Sequence, residues 1–546
     1  MAINRSIRQL SVRLFYCLVA GLIGCALLWG ALLRGMLVFA PYWFDEVNTI
    51  YFISQPFIRM LQFVMTDVEV PAYYVVLYGW VRLFTSTAAA TAVLSLGLEV
   101  GVIFLLYRFG RSLFSPRVAQ FSILLYFVSY SAIYYSTETR PYSLLLIATI
   151  SSLTALWRLL HGGTHQRWHW LEYIAASILG AYTHFIFLFL IYAQNVAVVW
   201  FVRRHHSALD FRRWMAVQFG LMVAGLPLLV PFLSHLLEWA NRTAQTWTDI
   251  VATPTFGKYV EYMVVGQFFY DGLPPRLMFG FSMLIGLAIM SVLFRIQRQP
   301  DGFMVRPRMP SAAERYLLIL VLVPFLTFLP SGFGVRRYMI ILAPLLCLLL
   351  AVWFLRWRPV WWGALTISVF AVAIVTLNAW YFVVHFPNEA RYLWPSVSAY
   401  FSQPAVVAAP GPGLVLLSDW DTERQFRYYY HSRLPVRRFF PTTLVNTVDP
   451  ELSQVRKIGT ATVNKDNVEE LIEFIRDYRT IWLVTGDGTF VYDPTDAMPR
   501  WMDNHCDLES ETFFGGGAIR IRRYGTCSSY PRTQERVQLF PGVVTT

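Results

Sequence analysis

Apolar stretches long enough to cross a bilayer recur through most of the first 385 residues, and one crossing takes roughly 20 such residues. A chain built this way has few options, because in hydrocarbon only helices and closed barrels satisfy their own backbone. Over 546 residues, 56% hydrophobic and 14% charged content point to a polytopic membrane protein rather than a row of soluble domains. The net charge of +12 would suit nucleic acid, but its distribution does not. The arginines gather in short loops between apolar runs, where cytoplasmic loops carry them. Arg5, Arg8 and Arg13 precede an apolar run from Phe15 to about Ala40. That run is long and lacks a small-residue cleavage site, so it reads as a retained first span rather than a removable signal.

The arginines also set the orientation. Clusters at Arg108, Arg111 and Arg117, at Arg203, Arg204, Arg212 and Arg213, at Arg295, Arg298, Arg306 and Arg308, and at Arg356 and Arg358 all fall on the cytoplasmic side. The expected result is about eleven spans across residues 1–385. A first outer loop over 41–87 carries interfacial helices, and Pro71 to Phe84 is apolar but too short for a simple crossing. Val118 to Tyr135 is expected as one outward span, and Leu171–Thr183 with Phe185–Phe201 as an out-and-back pair turning near His184. From 386 onward the composition is that of a small extracytoplasmic α/β domain. Gly411–Leu417 and Thr480–Thr485 read as buried strands, and Val468–Arg479 as an amphipathic helix. Cys506 and Cys527 fall in this exported part and are candidates for a disulfide.

On this topology Asp45, Glu46, Glu69, Glu138 and His184 collect at the outer face although they are far apart in sequence. Asp45 and Glu46 follow the first span in an aromatic, otherwise uncharged setting. Carboxylates beside hydrocarbon are costly and tend to be functional; the plainer reading is a cap on an interfacial helix. Glu99 breaks the pattern by falling inside a span, and the sequence assigns it no role.

Several motifs resemble family 39 glycosyltransferases, which include the dolichyl-phosphate-mannose protein mannosyltransferases and the lipid A aminoarabinose transferases. They are the Asp45-Glu46 loop, the Asp67-Val68-Glu69-Val70-Pro71-Ala72-Tyr73-Tyr74 segment, Tyr134 through Leu144, Tyr182-Thr183-His184-Phe185, and Arg337-Tyr338 with its following apolar run. They occur in order over residues 10–385. The resemblance implies a mainly α membrane bundle of GT-C type, a polyprenyl-phosphate sugar donor, and an inverting transfer to a lipid, glycan or protein hydroxyl at the outer face of a bacterial inner membrane. It also implies Asp45 as general base, a role typically worth about 10²–10⁴-fold, with Glu46 orienting it or fixing the loop and Glu138 in the same catalytic set.

A lipid-phosphate leaving group calls for cations at that depth, and Arg140, Arg336 and Arg337 are the candidates. Their plainer readings are an Arg140–Glu138 ion pair and snorkelling of Arg336 and Arg337 to the headgroups. Glu69-Val70-Pro71 departs from the His-Pro-Pro of many bacterial relatives and comes nearer the Glu-Lys-Pro of the aminoarabinose enzymes, in which the acidic residue helps hold a divalent metal. Glu69 with His184 or Glu138 therefore offers ligands to zinc, manganese or magnesium, or a substrate contact. Val70 removes the lysine and with it a phosphate contact. Two further classes fit a polytopic chain: a transporter or lipid flippase, which would keep charge near the midplane and show inverted repeats, and a related ligase or polymerase relying on His235, Arg242 and Lys258.

Overall fold

The computed structural model describes residues 2–66, 69–162, 166–204, 208–243, 265–270, 273–299, 302–328, 336–356, 360–389, 392–407, 411–418, 420–439, 463, 467–486, 493 and 495–528. They form two units, Met1–Ala40 with Thr49–Phe386, and Pro41–Asn48 with Pro387–Thr546.

The first unit is helical. It comprises α1 (Ala2–Leu37), most of α2 (Phe44–Ser54), α3 (Phe57–Thr66), α4 (Pro71–Leu83), α5 (Ala88–Leu113), α6 (Pro116–Val128), α7 (Tyr130–Tyr135), α8 (Tyr142–His161), α9 (Gln166–Thr183), α10 (Phe187–Arg203) and α11 (Phe211–Thr243). It continues with α12 (Pro275–Leu293), a two-stranded hairpin of β1 (Phe294–Gln299) and β2 (Gly302–Pro307), α13 (Ala312–Phe328), α14 (Ala343–Leu355) and α15 (Val360–Trp380). Among the described residues, five helical stretches are long and apolar enough to cross a membrane: Leu14–Leu37, Ala88–Leu113, Tyr142–His161, Arg337–Leu355 and Trp361–Asn388. Shorter apolar helices accompany them. This is a multi-pass membrane protein.

Helix starts follow local chemistry. Proline stands at the first positions of α4, α6, α12 and α14, where its missing N–H costs nothing. Thr87 and Ser115 cap α5 and α6 by accepting from Ala90 N and Val118 N. α14 is buried on nearly every side, as a helix apolar all round should be.

The expected single span Val118–Tyr135 is broken. Ser129 adopts an extended conformation and its hydroxyl accepts from Ala132 N at 3.3 Å, so the chain stops α6 and restarts as α7. A serine that caps its own continuation competes with the helix it interrupts. The freed groups are satisfied from elsewhere in the unit. Asn378 Nδ2 donates to Val128 O at 3.2 Å and to Phe268 O at 2.9 Å, and Tyr130 N donates to Phe268 O at 3.0 Å.

The second unit holds α16 (Trp394–Tyr400), α17 (Pro404–Val407), β3 (Gly413–Leu417), α18 (Trp420–Tyr429), β4 (Val436–Arg438), α19 (Leu471–Ile475), β5 (Thr480–Thr485), α20 (Ala497–His505), β6 (Cys506–Phe514) and β7 (Ile519–Cys527). Its sheet runs β4-β3-β5-β7-β6, parallel across β4, β3 and β5 and antiparallel across β5, β7 and β6. Both expected strands form, and both are buried on two faces, as near-continuous apolar runs require. Leu414, Leu416, Ile481 and Leu483 pack with Met498 and Met502 on one face. Val415, Leu417, Trp482 and Val484 pack with Val397, Phe401 and Phe426 on the other. The helix expected over 468–479 is shorter, a tight turn over Val468–Glu470 leading into α19. Cys506 and Cys527 are joined by a disulfide.

Candidate functional site

The site in the helical unit grows out of the turn that follows α7. Residues 136–141 leave α7 and enter α8 through Pro141, and the whole stretch is buried. A ladder on α5 holds it. Thr91 and Thr139 share a hydroxyl hydrogen bond at 2.7 Å, Ser95 Oγ donates to Glu138 O at 2.6 Å, and Ser143 Oγ donates to Glu99 Oε2 at 3.2 Å. Thr91, Ser95 and Glu99 are spaced four apart, so they share one face of the helix. From α1, Arg34 Nε donates to Ser136 Oγ at 3.1 Å, and its guanidinium interacts electrostatically with Glu99. Glu99 thus acquires a place: it is the third residue of the ladder, held by Ser143 and facing the charge of Arg34.

Arg140 is buried at 7% exposure, and its partners include Glu69, Thr49 and Tyr74. Nη2 meets Glu69 Oε1 at 2.7 Å, and Nη1 donates to Thr49 Oγ1 at 3.3 Å and to Tyr74 OH at 3.4 Å. Arg140 makes an ion pair with Glu69, just ahead of α4. A charge-assisted pair this short is among the stronger contacts a protein makes.

His184 stands in the turn between α9 and α10. The turn is tight because Gly180 lies against the Phe187 ring, where any Cβ would collide with it. Ile186 N donates to His184 Nδ1 at 3.2 Å, so the neutral ring carries its proton on Nε2. The ring lies 5.7 Å from that of Tyr338 and 6.4 Å from that of Tyr142. Burial, reinforced by the charges of Arg140 and Arg337, pushes the imidazole down to about 3. Arg337 and Arg140 therefore act on the same ring. The Arg336 side chain, Asp67 and Lys258 lie outside the described residues, as do the side chains of His235 and Arg242.

Beside this cluster is an apolar cavity of about 280 Å³ between α9, α10 and α11. Ile178, Tyr182, Phe185, Leu188, Leu221 and Met222 line it, and Glu69, the partner of Arg140, lines it too. A buried guanidinium thus stands one side chain from an apolar slot. Anions with long apolar tails have that shape.

Asp45 and Glu46 occupy the first turn of α2 and belong to the second unit. Asp45 is half-buried. Glu46 is buried and its Oε2 accepts from Trp43 N at 3.2 Å, one half of a capping box. For Glu46 the capping interpretation has direct geometric support.

As a metal centre the donors fall short. Among the described residues no three His, Cys, Asp or Glu side chains gather. Glu69 is engaged by Arg140, and His184 faces two guanidinium groups, a field that attracts anions and repels cations.

No protein-family model matches the sequence, and no curated protein matches it significantly. Solved structures do. ArnT from Cupriavidus metallidurans in the apo state aligns with a TM-score of 0.55 at 12% identity, over 95% of this chain and 98% of that one. The fold is of the GT-C type. The same ArnT bound to undecaprenyl phosphate aligns at 0.51 and 12% identity, over 96% and 99%. An Archaeoglobus fulgidus oligosaccharyltransferase, in complex with Zn and sulfate, aligns at 0.44 and 14%, over 91% of this chain and 72% of that chain. The mainly helical bundle with a small C-terminal sheet is thus a known GT-C arrangement.

Sequence reading missed Thr49 and the α5 ladder, and it marked Tyr74 only as part of the Asp67–Tyr74 motif, not as a partner of Arg140. The ladder left a signal in the i, i+4, i+8 spacing of Thr91, Ser95 and Glu99 in an otherwise apolar helix. Thr49 left none, because only the fold brings it to Arg140.

Proposed function

We propose that this protein is an integral membrane glycosyltransferase that moves a sugar from a polyprenyl-phosphate donor to an acceptor hydroxyl at the extracytoplasmic face. The observation that carries this reading is the buried Arg140–Glu69 pair beside an apolar cavity, a head-and-tail site suited to a lipid phosphate. The ArnT complex with undecaprenyl phosphate shares the fold, and the family 39 motifs point the same way.

In the proposed reaction the acceptor oxygen attacks the anomeric carbon while Asp45 takes its proton. The bond from that carbon to the phosphate oxygen breaks with inversion, and the electron pair leaves on the polyprenyl phosphate. Arg140 and Arg337 receive the growing negative charge, which preorganised donors stabilise most strongly in a dry site. His184, held neutral with Nε2–H available, is positioned to donate to an anion or a sugar hydroxyl without adding charge. Glu138 and Glu69 complete the acidic set. The acceptor is a lipid, glycan or protein, and the disulfide in the C-terminal domain supports an extracytoplasmic location for it, outside a bacterial inner membrane.

The test is transfer of radiolabel from polyprenyl-phosphate sugars to acceptors in a membrane extract by purified protein, with D45N alongside. Transfer by wild type that drops about 10²-fold or more in a folded D45N supports the reading. Sugar-lipid crossing vesicles without transfer points instead to a transporter.

A further inference from the structure

Segment 41–48, which carries Asp45, folds with the C-terminal domain although nearly 340 residues of chain separate them. Contacts to helix α18 fasten it. Tyr429 OH, at the end of α18, donates to Tyr42 O at 2.9 Å. Arg424 Nη1, on the same helix, donates to Asn48 Oδ1 at 2.7 Å. The Tyr42 and Tyr428 rings meet edge to face at 5.8 Å. Tyr42 and Asn48 bracket the acidic pair, so the fastening grips the segment on both sides of Asp45. Helix α18 is in turn fixed to the sheet. Glu423 bonds Arg427 at 2.8 Å and Arg438 of β4 at 3.4 Å, and Phe426 is buried in the core against Phe401.

We propose that the C-terminal domain is a working part of the transferase, whose α18 clamps the 41–48 segment and sets the position of Asp45 through Arg424 and Tyr429. The proposal rests on the transferase reading above for its catalytic consequence, but the clamp itself does not. Arg424 and Tyr429 are positioning residues acting through the backbone and Asn48. Burial, then Tyr428, then the negative charge of Glu46 push the Tyr429 phenol up, so it remains a protonated donor at any working pH. A carbonyl and a side-chain amide taken at the two ends of a short segment fix its path, which orients the residue between them more firmly than either contact alone. Small misplacements of a reacting group are costly, about 10²-fold for an ångström.

The test uses the full chain in detergent or nanodiscs, with R424A, Y429F, N48A and the R424A/N48A double variant. Removing one hydroxyl or one half-buried guanidinium leaves the apolar core of the domain untouched, so these variants fold. The expected result is a kcat at least tenfold lower in each single variant with the donor KM within about twofold. The double variant should lose no more than R424A alone, because the two residues share one contact. Hydrogen exchange of the amides of residues 42–48 should rise in all four. Exchange and kcat both unchanged in R424A and Y429F, with wild type active and D45N inactive, overturn the clamp and leave the transferase standing. If wild type transfers nothing from any donor, the transferase reading falls, and the exchange measurement alone decides the clamp.

Discussion

Consider removing the charge of Arg140. The Arg140→Gln substitution ends the 2.7 Å pair with Glu69 and the contacts to Thr49 and Tyr74. Glu69 is 22% exposed and Arg140 8%, so the carboxylate left behind is mostly out of water. Breaking a buried pair by deleting one partner costs about 3–5 kcal/mol, chiefly for the stranded charge; the partial exposure of Glu69 puts the value at the lower end. Removal of a preorganised donor to a developing anion separately costs about 10²–10³-fold in kcat. These two losses separate in the double variant. E69Q/R140Q buries no lone charge, so its thermal midpoint should recover most of what R140Q loses. Its kcat should not recover, because no guanidinium remains for the phosphate. The measurements are thermal unfolding in detergent and initial transfer rates for wild type, E69Q, R140Q and the double variant. An E69Q/R140Q protein that transfers as fast as E69Q would show that Arg140 serves only to neutralise Glu69, and the phosphate assignment would be refuted.

Two further outcomes follow from the ladder and from His184. Ser95→Ala deletes the donor to the Glu138 carbonyl and is expected to cost about 1 kcal/mol. It should lower kcat about tenfold by loosening residues 136–140, whereas the same change at the exposed Ser54 should do neither. For His184 the folded pKa lies near 3 against an ordinary 6.5. The unfolded chain therefore binds the extra proton between these values, and stability falls as pH drops through that window. At pH 5 the loss is about 2 kcal/mol. Thermal midpoints measured from pH 7 to pH 5 should show a shallower slope in H184N than in wild type, and equal slopes would contradict a buried neutral ring.

Much of this was legible in the residues. Apolar length and arginine placement gave the membrane class, because both follow from the bilayer itself. The buried strands Gly413–Leu417 and Thr480–Thr485 announced themselves as unbroken apolar runs. Pairings were harder. Arg140 has Glu138 two residues away, yet a carboxylate that bonds it at 2.7 Å comes from a segment 71 residues earlier, which no local pattern announces. The break at Ser129 was hidden because the groups that satisfy the backbone it frees, the side chain of Asn378 and the carbonyl of Phe268, come from distant chain. Nothing local could say that the segment around Asp45 folds with residues 387–546. That choice is made by Arg424, Tyr428 and Tyr429, three ordinary residues in an ordinary surface helix. Glu99 stood out in the sequence as a charge within a span, and its meaning waited on Ser143 and Arg34.

The interruption at Ser129 has a mechanical side. A continuous rod through the bilayer must tilt as a whole when the hydrocarbon thickens or thins. Here the rod is jointed, and the joint is pinned by Asn378 to a different span and by Tyr130 to Phe268. Strain from lipid mismatch felt along α6 therefore need not reach α7 and the turn bearing Arg140, whose setting answers to the protein around it rather than to the thickness of the membrane it happens to occupy.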